Sequence, residues 1–209
     1  MRMHVPSHQR GFTLIELIVA ITVLALILLV AMPAVASWLD TTRIRNIAES
    51  LQSGIQIARA EAVRRNRSVS FWLVSAADPV ALGSDCALSS ASGSWVVSFA
   101  SPEGHCGDKP SSSTAPMLVT GKPAGDSRGR VTVSAVQASD LASAGTTVTF
   151  DGFGRVTNAD AIGRISVTGA ETDVNLRLII SSAGSVRMCD PRASDLRDPR
   201  KCPDEDQHE

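Results

Sequence analysis

The chain has 209 residues, a formal net charge of −1 and a hydrophobic fraction of 44%. This length suits one domain with an appendage, and the near-zero charge argues against a protein that binds nucleic acid through excess positive charge. The hydrophobic residues are concentrated near the N-terminus, so the two ends of the chain predict different structures.

The first 11 residues, MRMHVPSHQRG, are polar and basic and precede a long apolar stretch at residues 12–39. A secretory signal peptide would end such a stretch at a small-residue cleavage site, and none follows here. The 23 residues from Leu17 to Leu39 carry no charge, which is enough to span a bilayer as a helix. The basic flank predicts a cytoplasmic N-terminus and a periplasmic remainder.

Glu16 is the one charged residue of the apolar stretch. A carboxylate in a membrane is costly and calls for a partner, unless its place near the helix start lets it reach the lipid headgroups. Both interpretations remain open on charge placement alone. Pro33 lies in the same stretch and predicts a bend, because it lacks an N–H and its ring clashes with the preceding turn.

The residues around Glu16 carry a resemblance to a known family. The sequence Gly11-Phe12-Thr13-Leu14-Ile15-Glu16 behind a short basic leader resembles the prepilin processing motif of type IV pilins and type II secretion pseudopilins. The resemblance implies cleavage by a prepilin peptidase between Gly11 and Phe12, and N-methylation of Phe12. It also implies that Glu16 pairs with the N-terminal amine of a neighbouring subunit, an attraction that is strong at low dielectric. The partners implied are the prepilin peptidase, other minor and major pilins or pseudopilins, and the inner membrane.

Residues 40–66 predict an amphipathic continuation of the helix, because apolar residues recur there at spacings of three and four. The stripe fits either a coiled-coil seam or, as we expect, a face packed on the protein's own sheet. Its members are Ile44, Ile47, Ala48, Leu51, Ile55, Ala58 and Ala62.

Residues 67–202 predict a mainly antiparallel β domain, followed by an acidic tail at residues 203–209. Six segments rich in Val, Ile, Thr and Phe are separated by Gly and Ser clusters, as expected for strands. The predicted strands are residues 68–75, 94–100, 130–136, 146–150, 164–168 and 175–181. The fold class is therefore α+β, with a long N-terminal helix packed on an antiparallel β domain, as in pilins.

The β region resembles one subgroup, the minor pilins and pseudopilins of the GspH/FimT/FimU type. The resemblance rests on RAEA at residues 59–62, GSWVV at 93–97, FDGFGR at 150–155 and IISSAGSVRMC at 179–189. It implies a minor subunit located at the fibre tip. Structural roles explain the single residues: Trp95 and Phe150 as core aromatics, and Gly152 and Gly154 in a turn that needs positive φ.

Four cysteines, Cys86, Cys106, Cys189 and Cys202, all follow the apolar segment. An even count in an exported chain predicts disulfides, and three pairings are possible. We favour the sequence-local pairing, Cys86 with Cys106 and Cys189 with Cys202. The alternative, a four-cysteine zinc site, lacks the short C-x-x-C spacing that such sites use.

No catalytic site, metal site or cofactor site is predicted, because no Ser–His pair, nucleophile elbow or phosphate loop is recognisable. A second function is DNA uptake, since some FimT-type minor pilins bind DNA through a basic C-terminal segment with a G-R-x-R element. Here residues 184–187 read GSVR, and residues 184–209 hold five basic and seven acidic groups, which argues against phosphate binding. The basic groups are Arg187, Arg192, Arg197, Arg200 and Lys201.

Overall fold

The structure is a computed structural model that describes residues 12–125, 129–170, 172–195 and 197–203, and omits the side chains of residues 30–36. The chain divides into two compact units, Met1–Leu39 and Asp40–Glu209. One helix, α1 (Leu14–Arg65), contributes to both units. Within the described residues, no helix combines the length and the apolar character that crossing a membrane requires.

The second unit contains a first antiparallel sheet of five strands. Its strands are β1 (Val69–Ser75), β2 (Ala87–Leu88), β3 (Ser94–Ser98), β4 (Leu118–Lys122) and β6 (Thr147–Phe150). They are ordered β2-β1-β3-β4, and β6 pairs with β1. The central pairing sets Phe71 opposite Val97 on β3 and Val148 on β6.

The second sheet has four antiparallel strands in the order β5-β7-β8-β9. They are β5 (Val131–Gln137), β7 (Ile162–Gly169), β8 (Asn175–Ile180) and β9 (Val186–Cys189). In this sheet, β7, β8 and β9 follow one another through short hairpins. Between β5 and β7 the chain forms β6, which belongs to the first sheet. β9 forms one edge of the second sheet.

The main core lies between the second half of α1 and both sheets. All seven residues of the predicted apolar stripe are buried there, so the stripe packs on the protein's own sheets and is not a coiled-coil seam. Gly54 brings the helix against the first sheet, because a Cβ at this position would lie 2.7 Å from Trp95. Trp95 also donates a hydrogen bond from Nε1 to Ser50 Oγ at 3.0 Å.

A smaller apolar cluster lies on the other face of the first sheet. It contains Val74, Val96 and Leu118 together with Cys86 and Cys106, whose sulfurs are joined in a disulfide. Alternate residues of β1 therefore face different cores, as the period of a strand requires.

The predicted helix and all six predicted strands are confirmed, with boundaries within two residues. Trp95 and Phe150 are buried, as predicted. The prediction that the backbone at Gly152 needs a positive φ was wrong, whereas the same prediction for Gly154 is confirmed. Gly154 has φ +77°, whereas Gly152 is not in the left-handed region. Gly152 is needed because a Cβ there would collide with Asn66.

Candidate assembly and binding sites

The start of α1 carries the first candidate site. Gly11 lies outside the described residues, and Phe12 is 86% exposed. Thr13 caps the helix: its Oγ1 accepts a hydrogen bond from the Glu16 N–H at 3.3 Å, and its carbonyl oxygen accepts one from the Leu17 N–H at 3.2 Å. Thr13 and Glu16 thus occupy the N-cap and N3 positions of an S/T-x-x-E capping pattern.

This cap gives Glu16 a local role that the sequence analysis missed, although the TLIE pattern was present in the sequence. A carboxylate in the first turn interacts favourably with the positive end of the helix dipole. The side chain is also exposed, so it is accessible to a second positive group. Capping and subunit pairing are therefore compatible at one residue.

The rest of the first unit presents an unusual surface. Its described side chains are exposed, and most of them are large and apolar; Leu14, Leu26 and Leu29 have exposed fractions of 75%, 64% and 71%. Soluble monomers rarely expose a contiguous apolar surface of this kind, which marks a surface covered by lipid or by other proteins. The exposed apolar side chains of residues 12–29 are thus the second part of the candidate assembly site.

A buried carboxylate marks the beginning of the second unit. Asp40 is fully buried and accepts hydrogen bonds from Arg43 Nη1 at 2.7 Å and from Arg130 Nη1 at 3.0 Å. Burial by itself raises the pKa of Asp40, but the hydrogen bonds from Arg130 and Arg43 outweigh it and hold the pKa below the ordinary value. Asp40 therefore fixes the helix to the chain that enters β5.

The C-terminal segment is the third candidate site. A disulfide joins Cys189 to Cys202 and brings the end of the chain beside β9. The Arg187 guanidinium donates hydrogen bonds to the carbonyl oxygens of Pro199 and Lys201, at 3.3 and 3.1 Å. Both cysteine pairs are those of the sequence-local arrangement.

Within this loop, carboxylates form ion pairs with two more of the arginines that were predicted to contact DNA. Arg192 pairs with Asp190 at 3.4 Å, and Arg200 pairs with Asp198 at 2.8 Å. Hydrogen bonds from the side chain and the backbone N–H of Arg200 lower the pKa of Asp198 to about 2. The fourth contact, Arg197, donates its backbone N–H to Asp195. The arginines are thus placed together, but three of them already have acceptors inside the protein.

The described residues contain no group of three or more His, Cys, Asp or Glu side chains arranged to hold a metal ion. His105, the one histidine among these residues, pairs with Asp108 at 2.9 Å in an exposed loop. This contact closes a turn and has no nucleophile beside it in the hydrogen-bond network of the described chain.

Most of the second unit matches a known protein family. The family described as type II transport protein GspH matches residues 48–184, which is more than half of the chain.

The chain belongs to the GspH family.

A second family, the prokaryotic N-terminal methylation motif, matches residues 6–32, which include Gly11, Phe12 and Glu16. The predicted resemblance to GspH-type pilin-like proteins is thereby confirmed. No curated protein matches this GspH-family chain.

Two crystal structures of the type IV minor pilin FimU from Pseudomonas aeruginosa strain PAO1 are similar to the GspH-family chain. In space group P21 the identity is 21%, the match covers 70% of this chain and 88% of FimU, and the TM-score is 0.43. In space group P65 the identity is again 21%, with 69% and 90% covered and a TM-score of 0.39.

Proposed function

We propose that this protein is a minor subunit of a type IV pilus or a type II secretion pseudopilus, assembled at the fibre tip and without enzymatic activity. A prepilin peptidase cuts between Gly11 and Phe12, and the new Phe12 amine is methylated. Residues 12–39 anchor the subunit in the inner membrane, with the N-terminus cytoplasmic and the β domain periplasmic. The subunit then assembles with other pilins or pseudopilins.

One observation carries this proposal: the match to the N-terminal methylation motif coincides with a helix whose apolar side chains are exposed. The uncharged run of residues 17–39 supports the membrane anchor. In a fibre, the apolar faces of neighbouring helices cover one another, which removes the exposed surface from water.

The pairing role of Glu16 is tested by separating its charge from its cap. Glu16→Gln keeps the backbone N–H that Thr13 accepts, keeps a side chain of nearly equal size and removes the negative charge. We expect incorporation into sheared fibres to fall at least about tenfold, since an unpaired amine in a low-dielectric bundle is penalised. Thr13→Ala removes the cap and keeps the charge, so it is the matched control. Equal incorporation of Glu16→Gln and the unaltered chain would refute the pairing role.

DNA binding through the C-terminal segment is the second candidate function. The observation in its favour is that the disulfide-closed loop carries Arg192 and Arg200 and that two of its carbonyl oxygens accept hydrogen bonds from Arg187 on β9. Asp190 and Asp198 of the same loop accept hydrogen bonds from Arg192 and Arg200 and reduce the positive charge that phosphates would meet. DNA binding therefore ranks below assembly.

A further inference from the structure

The edge of the second sheet at β9 is open. In the hairpin before β9, the Ser181 N–H donates to the Ser185 carbonyl oxygen at 3.0 Å, so these two residues form a hydrogen-bonded pair. Hydrogen-bonded and non-bonded pairs alternate in an antiparallel ladder, and Ile180 pairs with Val186 while Leu178 pairs with Met188. The main-chain N–H and C=O groups of Val186 and Met188 therefore point away from β8. Nothing in the described chain bonds these groups.

The opposite edge of the same sheet is covered by the protein itself. On β5, the Ala135 N–H donates to the Ser90 carbonyl oxygen at 2.8 Å, and the Ala135 carbonyl oxygen accepts from the Gly145 N–H at 3.1 Å. The fold thus protects one edge and leaves two residues of the other unprotected. An unprotected edge is a template for a strand from another chain.

The molecule also shows that the β9 edge accepts a main-chain partner. Asp190 is the next outward-facing residue after Met188, and its N–H donates to the Arg200 carbonyl oxygen at 2.7 Å. Asp190 and Lys201 form a parallel bridge at this point. Because this bridge is parallel, the residues before Lys201 lie on the Met188 side of Asp190. The C-terminal segment therefore borders the place of an added strand, whose main-chain hydrogen bonds would be those of Val186 and Met188.

A groove between this edge and α1 provides room for the side chains of an added strand. One part, of about 560 Å³, lies between residues 56–64 of α1 and residues 184–186. A second part, of about 430 Å³, lies between Arg45 and Glu49 of α1 and the side chains of Val174, Leu176 and Met188. The two parts share no lining residue, but one contains Val186 and the other Met188, so each offers apolar side chains beside one of the two open positions.

The charges of the groove indicate the partner's chemistry. Four of its five arginines donate to acceptors within the protein: Arg59 to Gly154, Arg64 to Glu61, Arg192 to Asp190 and Arg200 to Asp198. Arg45, by contrast, is exposed and makes no hydrogen bond or ion pair in the described part of the chain, although Glu49 lines the same part of the groove one helical turn away. A carboxylate on the added strand would complete this site.

We propose that the open edge of β9 binds an extended segment of another pilin-like subunit as an added β-strand, and that an acidic residue of this segment pairs with Arg45. Main-chain hydrogen bonds supply the attachment and the groove selects the side chains, as in other cases of strand addition. The proposal rests on the proposed function, because it names the surface through which one neighbour in the fibre is bound.

The first test compares Met188→Pro with Met188→Leu in the full chain, expressed in cells that assemble the fibre. Proline removes the outward N–H and leaves the pairing with β8, and edge strands tolerate it at such a position. We expect Met188→Pro to reduce co-purification of the neighbouring subunit about tenfold, while Met188→Leu retains it. Non-reducing peptide mapping must show the Cys189–Cys202 disulfide in both variants. Equal co-purification of the two variants, both oxidised, would overturn the proposal.

A second test does not depend on the proline variant folding. A photo-crosslinking amino acid at Val186 is expected to join an extended, acidic segment of another subunit, and Arg45→Glu to lower the yield at least about fivefold. Lys109→Glu, in a remote exposed loop, is the matched control. Crosslinks only to the chain's own residues 204–209, or to a helix, would overturn the inference. The proposed function fails separately, if the unaltered chain is absent from sheared fibres.

Discussion

At the scale of single residues, the most informative side chain of the second unit is a buried acid. Asp40 is held by Arg43 three residues away and by Arg130 ninety residues away. The first contact was readable from an i, i+3 spacing. The second was not, because nothing in a sequence connects a charge at the start of one helix segment with a charge before a distant strand.

Asp40 predicts a pH dependence of stability. The folded-state pKa lies below the unfolded value of 3.8, so the carboxylate stabilises the fold above that value and loses its contribution as the pH falls through the folded pKa. Asp40→Asn should therefore lower the unfolding temperature by several degrees at pH 7. Its difference from the unaltered chain should shrink below about pH 4.

Thermal unfolding from pH 2 to pH 8, followed by circular dichroism, measures this difference. The matched control is Asp173→Asn, which removes an exposed carboxylate and should have little effect at any pH. An Asp40→Asn variant as stable as the unaltered chain at pH 7 would contradict the prediction.

At the scale of elements, hydrophobic periodicity located the helix and six strands, but not β2, β4 or β9. β4 contains Gly121 and ends in Lys122, and its last residues are exposed, so neither alternation nor β-propensity identifies it. It is a strand because it pairs with β3 and covers the second core. The open edge of β9 was equally invisible, since edge position follows from topology and not from local composition.

The two disulfides should differ in their contribution to stability. Replacing Cys189 and Cys202 with Ser is expected to cost about 2–4 kcal/mol, mainly because a closed loop in the unfolded chain is released. Replacing Cys86 and Cys106 should cost more, because those sulfurs also pack in the second apolar cluster and Ser would bury two hydroxyls there. Urea unfolding of both double variants measures the order, and the reverse order would contradict this account.

At the scale of the whole molecule, a folded antiparallel β domain is joined to an N-terminal segment whose apolar side chains are exposed. Together with the family membership, this indicates a protein whose N-terminal segment must be covered by lipid or by other proteins. The sequence motif carried most of this conclusion, because Gly11, Phe12 and Glu16 lie within six consecutive residues. The groove along α1 required the structure, since its walls come from segments more than 100 residues apart.

Processing is expected to change the mass of the entire chain. Protein isolated from membranes should begin at Phe12 and carry one additional methyl group, as the cleavage motif predicts. Intact-mass measurement checks this, and Gly11→Leu, which places a bulky side chain before the scissile bond, should keep the leader attached. A mature chain beginning at Met1 would contradict the predicted cleavage.

The order of the two candidate functions also depends on the whole molecule. We expect DNA binding at physiological salt to be weak, with a dissociation constant above about 1 μM and a shallow salt dependence, because Arg192 and Arg200 already pair with Asp190 and Asp198. Fluorescence anisotropy at low and physiological salt measures it. Tight binding that weakens steeply with salt, and that is lost when Arg187, Arg192, Arg197, Arg200 and Lys201 are neutralised together, would place DNA uptake first.

The loop between Cys189 and Cys202 has a practical consequence. The GspH match ends at residue 184, the Cα atoms of the two cysteines are 4.9 Å apart, and the loop lies outside both apolar clusters. Lengthening a closed loop costs little, since the closure entropy grows only with the logarithm of its length. A foreign peptide inserted near residue 195, away from the residues that border the groove, would be held at both ends by the disulfide, which makes this loop a grafting point for constrained peptide display.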